Sequence, residues 1–313
     1  MKKASSENTQ KEFRRANSTK FERGRTIQAS LFLIPTLLLT SVFVVWPLIE
    51  VVYLSFFEWN GISVTKKFVG IQNYIDLPVQ PGFWEMAGAT VVYALGVTVL
   101  TIAISFIVAL ALDKKGKGRI NRGLLRVIWF FPCLLSMVVI GILWRIMFNY
   151  SNGLINQIIE MFGGSKVNWL ETLGVARWAV IVATVWSQIG MNVVIFLAGL
   201  QSIPGDLNEA ASIDGATPMQ QLWNITIPMM APSITINVLT TTIAAFKMYE
   251  LPLLVSNGGP GFHTTLLTKK IYDWALQSAD FGHGSALSVV LIIIITVISL
   301  IQLVYLRKRE DIY

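Results

Sequence analysis

Residues able to do acid–base or metal chemistry are scarce in this chain of 313 residues. The two histidines, His263 and His283, are expected to lack an acid or cysteine at metal-ligand spacing, so no metal site is predicted. The lone cysteine, Cys133, is expected to be a small apolar filler. The stretch KKGKGRIN lacks the GxxxxGKS or GxxxxGKT spacing that cradles phosphates. We therefore predict no catalytic residue, no metal and no cofactor bound by this chain.

One polar segment, residues 201–227, contains no lysine or arginine. The spacing of its capping, glycine and proline residues predicts two short helices joined by a rigid corner. Asp206 is placed to cap the first helix, and Gly215 suits the left-handed residue that ends it. Thr217 can cap the second helix, with Pro218 in its first turn. The apolar residues share one face of each helix: Leu207, Ala210 and Ala211 on the first, and Met219, Leu222, Trp223 and Ile225 on the second.

Glu209 is left on the opposite face of the first helix, so the corner carries an acid at its tip. Such a corner is typical of a docking element for a partner with a complementary groove and an arginine. The alternative is an amphipathic segment lying on lipid, but such helices usually display lysines and arginines. Since this segment has neither, docking is favoured.

The elements that hold this corner are predicted to be membrane helices. Hydrophobic residues make up 54% of the chain and charged residues only 14%, which exceeds the apolar content of an ordinary soluble core. A spanning helix needs about 20 mainly apolar residues. Strict period-two alternation is absent, so we predict an all-α membrane protein rather than a barrel. Six segments qualify, at roughly 29–57, 86–112, 125–149, 176–200, 228–255 and 284–306.

The lysines and arginines set the predicted orientation. Most of the 25 lie in the N-terminal tail, in the loop 113–126 and at 307–309. Because basic residues concentrate on the cytoplasmic side, both termini and the corner are predicted to be cytoplasmic. The tail 1–27 is expected to be flexible or to lie on the inner membrane surface, and its long apolar continuation argues against a cleaved signal peptide. Anionic lipid headgroups account for the net charge of +7, so nucleic-acid binding is not predicted.

The corner also carries a family resemblance. Its sequence EAASIDGATPMQQLWNITIP resembles the EAA-x3-G-x9-I-x-x-P loop of binding-protein-dependent ABC importer permeases. The likeness extends over about residues 30–308, through FVGIQNYIDL, GLLRVIWFFP, LWRIMFN, FLAGLQSIP, NGGPG and DFGHGSALSVVL, and it is similar to the maltose, glycerol-phosphate and multiple-sugar branch. One departure is QQLWN, where many members carry a basic residue. The matched coupling residues are Glu209, Ala210, Ala211, Asp214, Gly215, Ile225 and Pro228.

The resemblance implies a type I ABC importer permease fold over residues 28–308, with 201–227 as the ATPase-coupling loop and 309–313 as a cytoplasmic end. It also implies a bacterial cell membrane location and a carbohydrate cargo. The implied partners are a cytoplasmic ABC ATPase dimer that holds ATP and Mg, an extracellular or periplasmic sugar-binding protein, and a second permease. A heterodimer is favoured for the two permeases, and a homodimer stays open.

Cargo contacts are predicted on the fourth and fifth spans, because a sugar needs hydrogen-bonding groups and an aromatic face. The alternative is that Thr and Ser bond backbone carbonyls and that Lys247 reaches to the headgroups. Lys247 and Glu250, at i and i+3, are also expected to neutralise each other. The candidate residues are Ser187, Gln188 and Asn192 in WSQIGMN, and Thr241, Lys247, Tyr249 and Glu250 in TTTIAAFKMYE.

The loop NGGPGFHTT is predicted to be an external gate or a contact for the binding protein, through Gly258, Gly259 and Pro260. Flexible glycines beside exposed side chains suit either role, and a simple turn between spans is an equal alternative. A rival function is an ion-coupled secondary transporter. It is disfavoured because no inverted repeat is visible and Glu250 is the only acid well placed in a span.

Overall fold

The computed structural model describes residues 33–113 and 122–310. The chain divides into two compact units, residues 1–54 and 55–313. The predicted tail 1–27, most of the basic loop 113–126 and the end 311–313 lie outside the described residues.

The described chain is mostly helical, with one small antiparallel strand pair in which Phe57 faces Phe68. The strands are β1 (Phe57–Glu58) and β2 (Lys67–Phe68). The helices are α1 (Leu33–Leu54), α2 (Gln72–Asp76), α3 (Phe83–Asp113), α4 (Arg122–Phe130), α5 (Met137–Met147), α6 (Leu154–Met161), α7 (Val175–Ser202), α8 (Gly205–Ile213), α9 (Pro218–Met229), α10 (Ala231–Lys247), α11 (Glu250–Ser256), α12 (Leu267–Tyr272) and α13 (Phe281–Glu310).

Four of these helices, α1, α3, α7 and α13, are each long and apolar enough to cross a membrane. Two further pairs pass the same test together, although each is sharply bent. The pair of α4 and α5 bends by 102°, and the pair of α9 and α10 bends by 66°. The described residues therefore hold four candidate spans, or up to six if each bent pair makes one crossing.

Two predictions are corrected, because segments 125–149 and 228–255 were expected to be continuous helices and both are interrupted. In the first, Pro132 lies in a tight 3-10 turn (Phe131–Leu134), and Ser136 then caps α5 by accepting a bond from the Val138 amide at 3.3 Å. Proline removes a backbone donor and clashes with the preceding turn, which explains the break. In the second, α10 ends at Lys247 because Met248 adopts an extended conformation, with ψ at 134°.

Within the unit 55–313, α7 is the most enclosed of the spanning helices. Two-thirds (67%) of its apolar stretch is buried, against 33% for α3 and 11% for α13. It packs along α3 and also contacts α10. Four polar contacts tie these three helices together: Tyr93 Oη with Thr184 Oγ1 at 2.8 Å, Thr241 Oγ1 to Asn192 Oδ1 at 2.9 Å, Ser105 Oγ to the Ile189 carbonyl at 3.2 Å, and Thr98 Oγ1 to Thr242 Oγ1 at 3.4 Å.

Asn156 of α6 organises the segment between α5 and α7. Its side chain is fully buried, at 0% exposure. Its amide nitrogen donates to the carbonyls of Tyr150 (3.1 Å) and Val167 (3.0 Å). Its amide oxygen accepts from the Val167 amide (3.1 Å) and from Trp169 Nε1 (3.0 Å). One amide group thus satisfies four polar atoms and holds the ends of the segment together.

We predict that Asn156→Ala destabilises this segment, because it leaves several buried polar atoms without partners. Each such loss costs about 1–3 kcal/mol, so thermal unfolding in detergent should begin at a clearly lower temperature. Asn152→Ala, a change at a nearby exposed asparagine, is the matched control and should melt as the wild type does. Equal melting of both variants would contradict the role of Asn156.

Candidate functional site

The corner between α7 and α10 spans α8 and α9, residues Gly205–Met229. Its first helix begins at Gly205, and Pro204 occupies the capping position without a side-chain hydrogen bond. The prediction that Asp206 caps this helix is therefore wrong. The helix starts two residues earlier than predicted, after the extended residue Pro204, and Asp206 lies in its first turn. The negative charge of Asp206 interacts favourably with the positive end of the helix dipole at that position.

The first helix ends in a hydrogen-bonded turn that depends on Gly215. The Ala216 amide donates to the Ala211 carbonyl at 2.9 Å, and the Gly215 amide donates to the Ser212 carbonyl at 3.2 Å. Gly215 itself has φ at +79°, as the sequence predicted. These two bonds form a Schellman motif, whose left-handed residue is glycine because a side chain is strained there.

The second helix begins in a capping box, and Thr217 caps it as predicted. The Gln220 amide donates to Thr217 Oγ1 at 3.4 Å, while the Thr217 amide donates to Gln220 Oε1 at 2.7 Å. Gln221 then reaches back across the corner, since its Nε2 donates to Ser212 Oγ (3.0 Å) and to the Ala216 carbonyl (3.2 Å). Sequence reasoning missed this Gln221 bridge, because a bond between two helices has no local signature.

The second helix widens before it ends. Between Leu222 and Thr226 it adopts π geometry, in which the Ile227 amide bonds the Leu222 carbonyl. Pro228 follows in the last turn, and because it has no amide hydrogen it cannot continue the regular ladder. Ile225 and Pro228 are both half-buried. The two motif residues thus lie where α9 leaves the corner toward α10.

The remaining motif residues face solvent in this chain. Glu209, Ala210 and Asp214 are exposed, and Ala211 is half-buried. On the second helix Met219 and Trp223 are each 62% exposed. The predicted apolar stripe is thus mostly uncovered within the chain. Beneath the corner, a cavity of about 760 Å³ lies among Ile107, Leu110, Leu200, Asn208, Met219 and Leu222.

The predicted cargo residues of α7 are largely occupied within the chain. Ser187 is buried, and its hydroxyl donates to the Thr184 carbonyl of its own helix at 2.7 Å. Asn192 Nδ2 donates to the Gln188 carbonyl at 3.0 Å, and Asn192 Oδ1 accepts the Thr241 hydroxyl at 2.9 Å. Gln188 is half-buried. The structure therefore brings Asn192 and Thr241 together as a contact between helices.

The predicted neutralisation of Lys247 by Glu250 is wrong, since no ion pair joins them within the described residues. The helix ends at Lys247 and a new helix starts at Glu250, so their spacing no longer places them one above the other. Both residues instead line a surface cavity of about 420 Å³ together with Thr240. Tyr249 stacks on Tyr272, with 5.5 Å between the ring centroids.

The loop that carries Gly258, Gly259 and Pro260 is bonded to its own chain. Gly258 is buried at φ +86°, and a Cβ there would lie 2.6 Å from the Thr265 hydroxyl. The Thr265 hydroxyl donates to the Gly258 carbonyl at 2.9 Å, and the Thr264 hydroxyl donates to the Gly259 carbonyl at 2.7 Å. Pro260 is half-buried. Gly258 and both threonines are thus held within the chain while Asn257 is exposed, and a gating role stays a prediction.

Both histidines have polar partners that sequence reasoning did not assign. His263 accepts Arg177 Nε at its carbonyl (3.1 Å), which joins this loop to the start of α7. His283 Nδ1 lies 2.8 Å from Asp280 Oδ2, and its Nε2 lies 3.6 Å from Asp76 Oδ2. Burial alone would raise the pKa of Asp280, but the hydrogen bonds from the side chain and amide of His283 lower that pKa below its usual range.

The spacing of Asp280 and His283, at i and i+3 where a helix begins, is a capping signal that the sequence offered. The contact between His283 and Asp76 joins residues that are distant in the sequence, so no local pattern predicted it. In the part of the chain that the structure describes, no group of three or more His, Cys, Asp or Glu side chains is placed to hold a metal ion.

These features define a multi-pass, helical membrane protein with a rigid, exposed corner between two of its helices. Residues 102–310 match the family described as the binding-protein-dependent transport system inner membrane component. The chain belongs to this family. It is thus a membrane transport component.

Known relatives match over nearly the whole chain. The trehalose/maltose transport system permease protein MalF of Thermococcus litoralis is 32% identical, covering 90% of this chain and 94% of the relative. The multiple sugar-binding transport system permease protein MsmF of Streptococcus mutans is 33% identical, covering 89% and 95%. A chain in the crystal structure of a bacterial alginate ABC transporter, in complex with an alginate pentasaccharide-bound periplasmic protein, has the same fold, with a TM-score of 0.77, 22% identity and coverage of 91% and 96%.

We predict that Gly215→Ala loosens the corner, because it forces a side chain into the left-handed region at a cost of about 1–2 kcal/mol. Faster amide hydrogen exchange at residues 211–216 would report this. Gly205→Ala is the matched control, since both glycines have open space around a Cβ and only Gly215 has a positive φ. Indistinguishable exchange in the two variants would show that the turn does not depend on Gly215.

Proposed function

We propose that this chain is the permease subunit of an ATP-driven ABC importer that moves a carbohydrate into the cytoplasm by alternating access. The single observation that supports this most is the family match combined with relatives that are named as sugar permeases. The corner also supports the proposal, because a rigid and exposed element can be bound and moved by a separate ATPase subunit. Family membership also disfavours the ion-coupled secondary transporter.

In this proposal the chain crosses the bacterial cell membrane six times, each bent helix pair making one crossing, with both termini cytoplasmic. The corner then lies on the cytoplasmic side and docks in a cleft of an ABC ATPase dimer. ATP and Mg bind to that ATPase, and this chain binds neither. A second permease, different from this one, completes the translocation path, and an external sugar-binding protein delivers the cargo.

The corner suits force transmission because its bonds are local. The Schellman turn, the capping box and the Gln221 bridge all lie within residues 205–221. Closing of the ATPase dimer therefore moves the corner as one piece rather than unravelling it. Glu209 supplies the charged contact that fixes register in the cleft, and the exposed side chains of Met219 and Trp223 supply apolar contact area.

For the cargo, the proposal favours the exposed face at the end of α10 over the α7–α10 contact. Lys247 and Glu250 line the 420 Å³ cavity there. Tyr249 lies between them in the sequence and stacks on Tyr272, and the loop at Gly258, Gly259 and Pro260 follows after α11. The side chains of Asn192, Thr241 and Ser187 already make hydrogen bonds within the chain. They therefore have a structural role in this proposal and do not contact the cargo. A sugar in this cavity then meets a cation and a carboxylate.

We predict that Glu209→Ala weakens attachment of the ATPase to the permease by about tenfold, because a charged contact at an interface is lost. The measurement is recovery of the ATPase with the tagged permease from membranes, followed by ATP-driven sugar uptake in vesicles. Glu85→Ala removes another exposed glutamate, located in the first turn of α3, and should leave recovery unchanged. Normal recovery and uptake with Glu209→Ala would refute the coupling assignment.

We predict that Lys247→Met lowers uptake by about tenfold or more, since a hydrogen bond from a charged group contributes roughly 1.5–3 kcal/mol. Uptake is measured with saturating, sugar-loaded binding protein, so that permease contacts limit the rate. Thr241→Val is the contrasting variant: it removes the bond to Asn192 and should lower thermal stability while uptake persists. If Thr241→Val abolishes uptake while Lys247→Met leaves it unchanged, the cargo contact lies between α7 and α10 instead.

A further inference from the structure

Residues 57–79 follow α1 in the chain and pack against the first turn of α13. This stretch, here called the hairpin segment, contains β1, β2 and α2. The Phe281 amide donates to the Trp59 carbonyl at 3.0 Å, and the centres of the two rings lie 5.4 Å apart. Gly282 permits the close approach, because a Cβ there would lie 2.3 Å from the Phe57 carbonyl. Ring packing and backbone bonds of this kind do not depend on the pH.

His283, in the first turn of α13, adds a titratable contact to this junction. Its Nδ1 lies 2.8 Å from Asp280 Oδ2, and its backbone amide donates to Asp280 Oδ1 at 3.2 Å. Its Nε2 lies 3.6 Å from Asp76 Oδ2, in α2 of the hairpin segment. This nitrogen is buried and makes no hydrogen bond within the described residues. The imidazole thus lies between one carboxylate at the start of its own helix and another in the hairpin segment.

The protonation state of the imidazole decides whether both carboxylates face a donor. A neutral imidazole has one N–H group and one lone pair, so only one of its nitrogens can donate. With the proton on Nδ1, Asp280 accepts a hydrogen bond and the Nε2 lone pair faces the carboxylate of Asp76. An imidazolium carries a proton on each nitrogen and a positive charge between the two carboxylates. Protonation therefore changes the contact between His283 and Asp76 from repulsive to attractive.

The hairpin segment brings further charges to this junction. Glu58 and Lys67 line the same cavity as the imidazole, of about 570 Å³, and are paired with each other at 2.8 Å. The Lys66 ammonium lies 4.4 Å from the centre of the Trp59 ring. Histidine is the side chain that ordinarily changes its charge near neutral pH, so the imidazole is the group of this junction expected to respond there.

The helix α12 and the turn after it face the imidazole from the other side. The Trp274 ring lies 5.7 Å from the imidazole, and the Lys270 ammonium lies 4.7 Å from the centre of the Trp274 ring. Lys269 is paired with Asp273 at 2.7 Å. Burial raises the pKa of Asp280, but the hydrogen bonds of the imidazole and its amide and the positive charges of the imidazole and Lys270 lower that pKa below its usual range. Asp280 therefore stays ionised beside the imidazole.

The two carboxylates favour the protonated imidazole. The hydrogen bond to Asp280 raises the pKa of His283 above its usual value, the charges of Asp280 and Asp76 add to this rise, and partial burial opposes it. His283 lies just before the apolar stretch 284–306, where the charged side chains of the hairpin segment surround it. Protonation therefore stabilises the closed junction fully below about pH 6.5, the ordinary pKa of histidine. This stabilisation is lost as the pH rises through the raised value.

We propose that His283 is a pH-sensitive latch, which holds the hairpin segment against α13 when it is protonated and loosens that contact when the pH rises. The latch responds to the compartment that the hairpin segment faces, which is the outside of the cell under the proposed function. The junction also adjoins the end of α10 through α12. There the Thr268 hydroxyl donates to the Met248 carbonyl at 2.7 Å, and Tyr272 stacks on Tyr249.

The test measures amide hydrogen exchange in the full-length chain in nanodiscs, with each rate divided by the intrinsic rate at the same pH. Protection of the hairpin segment and of the Phe281 amide should fall about tenfold between about pH 6 and about pH 9, because an attraction between charged groups is lost. His283→Gln cannot gain a charge, so its protection should not change with pH. His263→Gln, at the only other histidine of the chain, is the matched control and should keep the wild-type response.

Asp76→Asn is a second test, because its amide can donate to the neutral Nε2 of His283. This variant should hold the hairpin segment at least as well at the higher pH as at the lower one. Protection that is independent of pH in the wild type, or that falls equally in His283→Gln, would overturn the latch. These measurements need neither cargo nor ATP, so such a result leaves the proposed function standing. Absence of ATP-driven sugar uptake at every pH would instead contradict the proposed function and leave the latch intact.

Discussion

Lipid offers no hydrogen bonds, so each polar group inside a membrane helix must find its partner within the protein. This constraint explains why Tyr93 meets Thr184 and why Asn192 meets Thr241 between helices. These contacts hold α3 and α10 against α7. Asn237 and Thr101 depart from the pattern, because the amide of the first and the hydroxyl of the second are fully buried and make no hydrogen bond within the described residues. Lys247 is exposed and Glu250 is half-buried where α10 ends.

Sequence rules succeeded where structure is decided by a few neighbouring residues. The turn at Gly215 and the cap at Thr217 follow from backbone preferences, and both are present as predicted. The long apolar helices follow from hydropathy in the same way. Family resemblance, carried by the residues of the corner, predicted the family that the comparisons show.

The same rules failed where a distant contact or a competing residue decides the outcome. Pro204, not Asp206, occupies the capping position of α8. Lys247 and Glu250 do not pair, because the helix ends before Met248. The bond between Asn192 and Thr241 has no sequence signature either, since 49 residues separate the two. Polar residues within spans were therefore interpreted as cargo contacts, although a membrane helix needs such residues equally for packing.

The interruptions of the chain suggest how a rigid corner can act on a distant cargo face. α10 is bounded by the 66° bend near Met230 at one end and by extended Met248 at the other. Its 17 residues make a rod about 26 Å long, joined to the corner at its start and carrying Lys247 at its end. The neighbouring α7 is continuous and largely buried, so it resists bending. Since hinges absorb motion where regular structure is broken, the two ends of α10 are the places where this rod can change direction relative to the corner and to α11.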